Sequence, residues 1–216
     1  MQPRYRDWAE QLLKAGHAVL LPDSYGSREL GPQCRVKERR VLARRERVAD
    51  VMASQAMAGA AALGRARPHQ PDGMGATAPA RVLWAVRPQL SSRGIEPDFR
   101  SAIAFYPDCR ISSGLGWSAR VPTLLLIGAK DDVSSPPACR QMVDGARGRS
   151  ALARIVVYPG ASHDFDRANL PLHAIGRPPT PPCRRRGHIG TDAEARADLA
   201  KARRGMAGAV DDLALA

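Results

Sequence analysis

Long apolar runs are missing from this 216-residue chain. None approaches the roughly 20 residues that a membrane-spanning helix needs, and mean hydropathy is −0.32. The N-terminal MQPRYRDWAEQLL lacks the apolar core and small-residue cleavage site of a secretory signal. Aromatic residues are scarce, at 5%, which weakens any reading as a stacking platform for single-stranded nucleic acid. Cysteine is sparse as well. Cys34, Cys109, Cys139 and Cys183 lie far apart with no C-x-x-C pair, so neither a zinc finger nor a disulfide framework is indicated. Reduced thiols in a cytoplasmic protein are the expectation. Lysine is nearly absent too: Lys14, Lys37, Lys130 and Lys201 are the only ones among 33 basic residues.

What is present is arginine, alanine and a formal net charge of +12. An arginine- and alanine-dominated chain is what a GC-rich coding sequence produces, so part of this charge records codon bias. The densest basic stretch, Arg35 to Arg47, holds seven Lys/Arg and two Glu, and Arg184-Arg185-Arg186 forms a second cluster. Neither contains an aromatic residue or a recognisable nucleic-acid motif, so both read as solvated basic faces. A nucleic-acid binder remains the third-ranked function. At 44% hydrophobic, residues 1–216 can bury one sizeable core and read as a single domain.

Helical and strand-like segments alternate. Arg4 to Ala15 places Tyr5, Trp8, Leu12 and Leu13 at helical spacing before Gly16. The run Ala18 to Leu21, closed by Pro22-Asp23, suits a buried strand. Residues 43–62 read as a helix with Val48, Val51 and Met52 on one face. AIAFY (102–106), TLLLI (123–127) and RIVVY (154–158) are short apolar strands, and residues 137–145 and 192–204 are helix-compatible. Thr191 or Asp192 would cap the last of these. Such alternation predicts an α/β fold, a mostly parallel sheet with helices on both faces. Strand C-terminal ends then share one edge, where such folds hold their active sites. Two of those ends carry ionisable groups: Lys130-Asp131-Asp132 follows one strand and Ser162-His163-Asp164 follows the next. Taken singly, such an acid is as readily a turn former, and a loop histidine is commonly structural. Together, in the order acid then histidine on successive strands, they point to catalysis.

RYRDWAEQLLKAGHAVLLPDSYG, DFRSAIAFYPDCR, VPTLLLIGAKDD and IVVYPGASHDFD together resemble the dienelactone hydrolase family of α/β-hydrolases. The resemblance implies hydrolysis of a small-molecule ester or lactone, with no cofactor and no metal. It implies His163 as general base and Asp131 as the acid orienting it, with Asp132 a close competitor. A Ser or Cys would attack the carbonyl, and His163 would take its proton. Arg167 matches one arginine that binds a substrate carboxylate in the family, and Arg28 lies one place from the other; both are equally readable as surface arginines.

The family's nucleophile, in G-x-S-x-G or G-x-C-x-G, has no counterpart. Residues 65–81, RARPHQPDGMGATAPAR, contain neither serine nor cysteine and read as an irregular loop. One nucleotide out of frame, however, codons for Pro68 to Gly75 can encode R-I-S-L-M-G-W. One base later, those for Ala76 to Ala80 can encode S-H-G-A-S. The joined reading is the family's strand and elbow, so a frame-shifted segment is the expectation, by mutation or by sequence error. Relatives also begin with strands and an oxyanion-hole turn ahead of RYRDW, so an incomplete, N-terminally truncated α/β-hydrolase fold is expected, with activity impaired or lost. A non-catalytic remnant or binding module is the alternative. Residues 169–190 are Pro-rich and read as loop, and His173 and His188 within them receive no role.

Overall fold

The computed structural model describes residues 3–14, 16, 18–31, 36, 40–42, 44–60, 72–73, 78–88, 99, 101–110, 116–176 and 187–199. Four parallel strands form the main sheet in the order β1 (Asp72–Gly73), β2 (Ala102–Phe105), β3 (Thr123–Gly128), β4 (Ala153–Tyr158). Around them lie helices α1 (Pro3–Lys14), α2 (Glu46–Ala60), α3 (Ala78–Ala85) and α4 (Pro136–Ala146), and residues 193–199 form a further helix, α5. The chain is therefore α/β with a parallel sheet, as the alternating apolar segments predict.

Each element follows from its local chemistry. All four residues of β2 are buried, and five of the six in β3 are. Their continuous apolar runs fit strands covered on both faces. β4 alternates between exposed and partly buried residues and lies at the outer end of the sheet, as a half-solvated strand should. Helix α4 begins where the Ser135 side chain accepts the Ala138 amide, with proline in its first turn. Its buried face is Cys139, Met142, Val143 and Ala146, spaced i, i+3, i+4, i+7. α1 inserts Trp8 into the core, 5.1 Å from the Phe105 ring. α5 is capped by Asp192, whose Oδ1 accepts the Ala195 amide at 2.8 Å.

Five expectations need correction, the last of them the solvated basic stretch. Ala18 to Leu21 forms no strand, and Leu20 and Leu21 are exposed by 43% and 40%. An apolar run becomes a buried strand only when a neighbour completes its hydrogen-bond ladder, and among the described residues none pairs with it. Residues 65–81 are not wholly irregular: Asp72–Gly73 pairs in parallel with Ile103 and Ala104, and α3 begins at Ala78. The rest of the expected loop, 65–71 and 74–77, lies outside the described residues. Within 169–190, His173–Ile175 (β5) and Gly187–Ile189 (β6) pair antiparallel. Nor are the thiols of Cys109 and Cys139 free. Packing of α4 against the segment after β2 brings their Cα atoms to 5.0 Å, and they form a disulfide. A sequence separation of 30 gave no sign of it. Cys34 and Cys183 lie outside the described residues.

The basic stretch is not simply a solvated face. Arg47 is only 6% exposed, with its guanidinium 5.5 Å from the Tyr25 ring centroid. No helix among the described residues is long and apolar enough to cross a membrane.

Candidate active site

Parallel strands bring the C-terminal ends of β2, β3 and β4 to one edge, with Phe105 opposite Leu126 and Gly128 opposite Tyr158. The next residues carry the site. Beyond β3, the chain turns tightly against the loop after β4: Ala129 N donates to Tyr158 O and Lys130 N to Ala161 O. Gly128 makes this approach possible, since a Cβ there would lie 2.1 Å from the Ala161 oxygen. That contact brings the acid-bearing and histidine-bearing loops together.

Asp131 and His163 are in hydrogen-bond contact. Asp131 Oδ2 lies 2.8 Å from His163 Nδ1, with both side chains essentially inaccessible. The other carboxylate oxygen accepts the amides of Val133 (3.0 Å) and Ser134 (2.7 Å), which fixes the acid's rotamer. Because a carboxylate only accepts, Nδ1 carries the proton and Nε2 is the basic nitrogen. Nε2 is buried, with no hydrogen-bond partner among the described residues. Asp132 turns the other way: its Oδ2 lies 2.8 Å from His188 Nδ1 and its Oδ1 accepts the His188 amide at 2.7 Å. Geometry thus separates the two adjacent acids.

Tyr106, directly after β2, packs its ring 4.3 Å from that of His163, and its carbonyl accepts the Ser134 hydroxyl. Its backbone adopts φ 37°, and Asp164 adopts φ 59°, so two non-glycine residues in the left-handed region flank the imidazole. Beneath them runs a buried polar network. Tyr106 Oη accepts from Arg4 and donates to Asp166 Oδ1 at 2.9 Å, while Trp8 Nε1 donates to Asp166 Oδ2 at 2.8 Å. Arg4 also pairs with Asp164. Burial, then the Asp166 charge, pushes the Tyr106 phenol well above its ordinary value, so it stays neutral. Burial alone would raise the Asp164 carboxyl, but Arg4, His163 and Arg167 outweigh it and hold the carboxyl below the usual range.

The arginines are placed differently. Arg167 Nη1 donates to Asp164 Oδ2 at 3.3 Å, one residue from the imidazole, and its side chain is one-third exposed. Arg28 forms a two-point pair with Asp50 of α2, at 2.7 and 3.0 Å, and also donates to the Ser24 carbonyl. The structure pairs Arg167 with Asp164, the residue after His163, and pairs Arg28 with Asp50 of α2. Sequence reasoning missed Tyr106, Ser134, Asp164, Asp166, Arg4 and His188. Two acids within H-D-F-D were a usable signal; the helix α1 contribution was not visible.

The structure can be set beside solved ones. It is similar to a candidate dienelactone hydrolase from Klebsiella pneumoniae, at TM-score 0.48 and 20% identity, covering 72% of this chain. An esterase from Pyrococcus furiosus gives TM-score 0.44 and 10% identity over 58% of this chain, and puromycin hydrolase gives 0.38 and 18% over 54%. This chain spans 59%, 56% and 21% of their respective lengths. No family model and no curated protein matches the sequence. Among the described residues, no group of three His, Cys, Asp or Glu side chains is placed to hold a metal ion.

Proposed function

We propose that this chain is an ester or lactone hydrolase by lineage, of the dienelactone hydrolase type, whose activity is impaired by loss of the nucleophile. The observation that carries the reading is the buried Asp131–His163 bond of 2.8 Å, formed between loops that follow adjacent parallel strands. A carboxylate anchored by two amides and bonded to Nδ1 leaves Nε2 as a general base, the arrangement that acyl transfer requires. In a complete site, His163 would take the proton of a Ser or Cys during attack on the carbonyl and then activate water. Asp131 would hold the tautomer and stabilise the imidazolium.

The parallel pairing of Asp72–Gly73 with β2, with α3 beginning at Ala78, supports a strand-then-helix origin for this segment. That is where a nucleophile elbow belongs, and the sequence there offers no serine or cysteine. Removing such a nucleophile costs several orders of magnitude in rate. Arg167 beside Asp164 is the better placed of the two arginines to meet a substrate carboxylate.

The test combines a gene and an assay. Resequencing across codons 65–81 decides between a genuine frame change and a sequence error. The chain as written should give no turnover of p-nitrophenyl acetate above buffer. Turnover that disappears in His163→Ala would overturn the impairment. A non-catalytic scaffold is the second reading, favoured by the inaccessible Nε2 of His163; it predicts cooperative thermal unfolding with no ester turnover.

A further inference from the structure

The second carboxylate–imidazole pair, Asp132–His188, has no part in the chemistry above, yet it is built with care. β6 lies between the two loops that carry Asp131 and His163. On one side, Asp132 accepts both the amide and the ring of His188. On the other, Ile189 bridges to His163 in parallel fashion and the Gly190 amide donates to the His163 carbonyl at 3.1 Å. Gly187 seats the strand closely: a Cβ there would lie 2.5 Å from Val133 Cγ2 and 2.6 Å from Asp132 Oδ1. Further along, Thr191 bonds Leu170 and Arg167, and the Asp192 amide donates to the Phe165 carbonyl.

We infer that Asp132 and His188 are positioning residues, a clasp that holds β6 across both loops and thereby fixes the Asp131–His163 geometry. An exposed ion pair by itself contributes little, and these side chains are 47% and 55% exposed. The backbone amide bond to the carboxylate is what distinguishes this pair, because it ties main chain to loop rather than one mobile side chain to another. Adjacent acids therefore divide the work: Asp131 orients the imidazole directly, and Asp132 acts through β6. The inference rests on the acid–base reading of His163, and the experiment separates the two.

The experiment is hydrogen exchange on the full ¹⁵N-labelled chain, following the Gly190 amide and the His163 Nδ1 proton by NMR. In Asp132→Ala, both should exchange about tenfold faster, the scale of one lost hydrogen bond in a local opening. Asp132→Asn keeps an oxygen acceptor for the His188 amide and should restore most of the protection. Should Asp132→Ala fail to fold, Asp132→Ser, whose shorter side chain withdraws the carboxylate acceptor from the His188 amide, should accelerate Gly190 in the same direction. Unchanged exchange at Gly190 in a folded variant overturns the clasp. A wild-type chain with no protected His163 ring proton overturns the acid–base reading alone, and Gly190 still decides the clasp.

Discussion

Replacing Tyr106 with phenylalanine removes one oxygen from the centre of the buried network and leaves the ring beside His163. The hydroxyl accepts from Arg4 and donates to Asp166, so two charge-assisted bonds disappear together. Each is worth about 1.5–3 kcal/mol. Arg4 keeps Asp164 and Asp166 keeps Trp8, so neither charge is abandoned. The expected loss is therefore about 2–4 kcal/mol, a large share of the ~5–15 kcal/mol that stabilises a typical domain. In urea unfolding the midpoint should fall by about 1–2 M at an unchanged slope near 2 kcal/mol per M. Tyr158→Phe is the control, because that hydroxyl bonds Asp198 at an exposed position. It should cost no more than about 0.5 kcal/mol. Equal midpoints for wild type and Tyr106→Phe would refute the view that α1 is tied to the histidine loop through this hydroxyl.

Three further outcomes follow from the same structure. The Asp164 carboxyl has a folded pKa below its unfolded value, so its stabilisation is complete above about pH 3.9. It is lost as pH falls through the lower folded value, and Asp164→Asn should flatten that acid limb in unfolding measured against pH. Gly128→Ala forces a Cβ into the Ala161 carbonyl and should destabilise by at least ~2 kcal/mol, with broadened His163 signals in NMR. Thiol titration of the native, non-reduced chain should find Cys109 and Cys139 unreactive, and the Cys109→Ser/Cys139→Ser double variant should lose about 2–4 kcal/mol in chemical unfolding.

Much of this architecture was legible in short patterns. AIAFY, TLLLI and RIVVY became adjacent parallel strands because buried parallel strands need continuous apolar runs. The order of acid and histidine on successive loops was visible for the same reason. The choice between Asp131 and Asp132 was not, since it depends on which way a turn aims two neighbouring carboxylates. Ala18 to Leu21 shows the opposite failure: the run was apolar, but no described strand completes its ladder. β5 and β6 were hidden because each is only three residues long, too short to show an apolar alternation. The contact between α1 and the His163 loop joins residues more than 150 positions apart, such as Trp8 and Asp166, and no local pattern carries that information.

We propose that the Asp131–His163 pair is the acid–base remnant of a hydrolase site whose nucleophile was lost from residues 65–81. The most direct measurement is ester turnover by a chain in which residues 68–80 are replaced with R-I-S-L-M-G-W-S-H-G-A-S. This restored chain should hydrolyse p-nitrophenyl acetate, His163→Ala should abolish the activity, and the unaltered chain should show none. Turnover by the unaltered chain that depends on His163, or a folded restored chain with no turnover, would contradict the proposal.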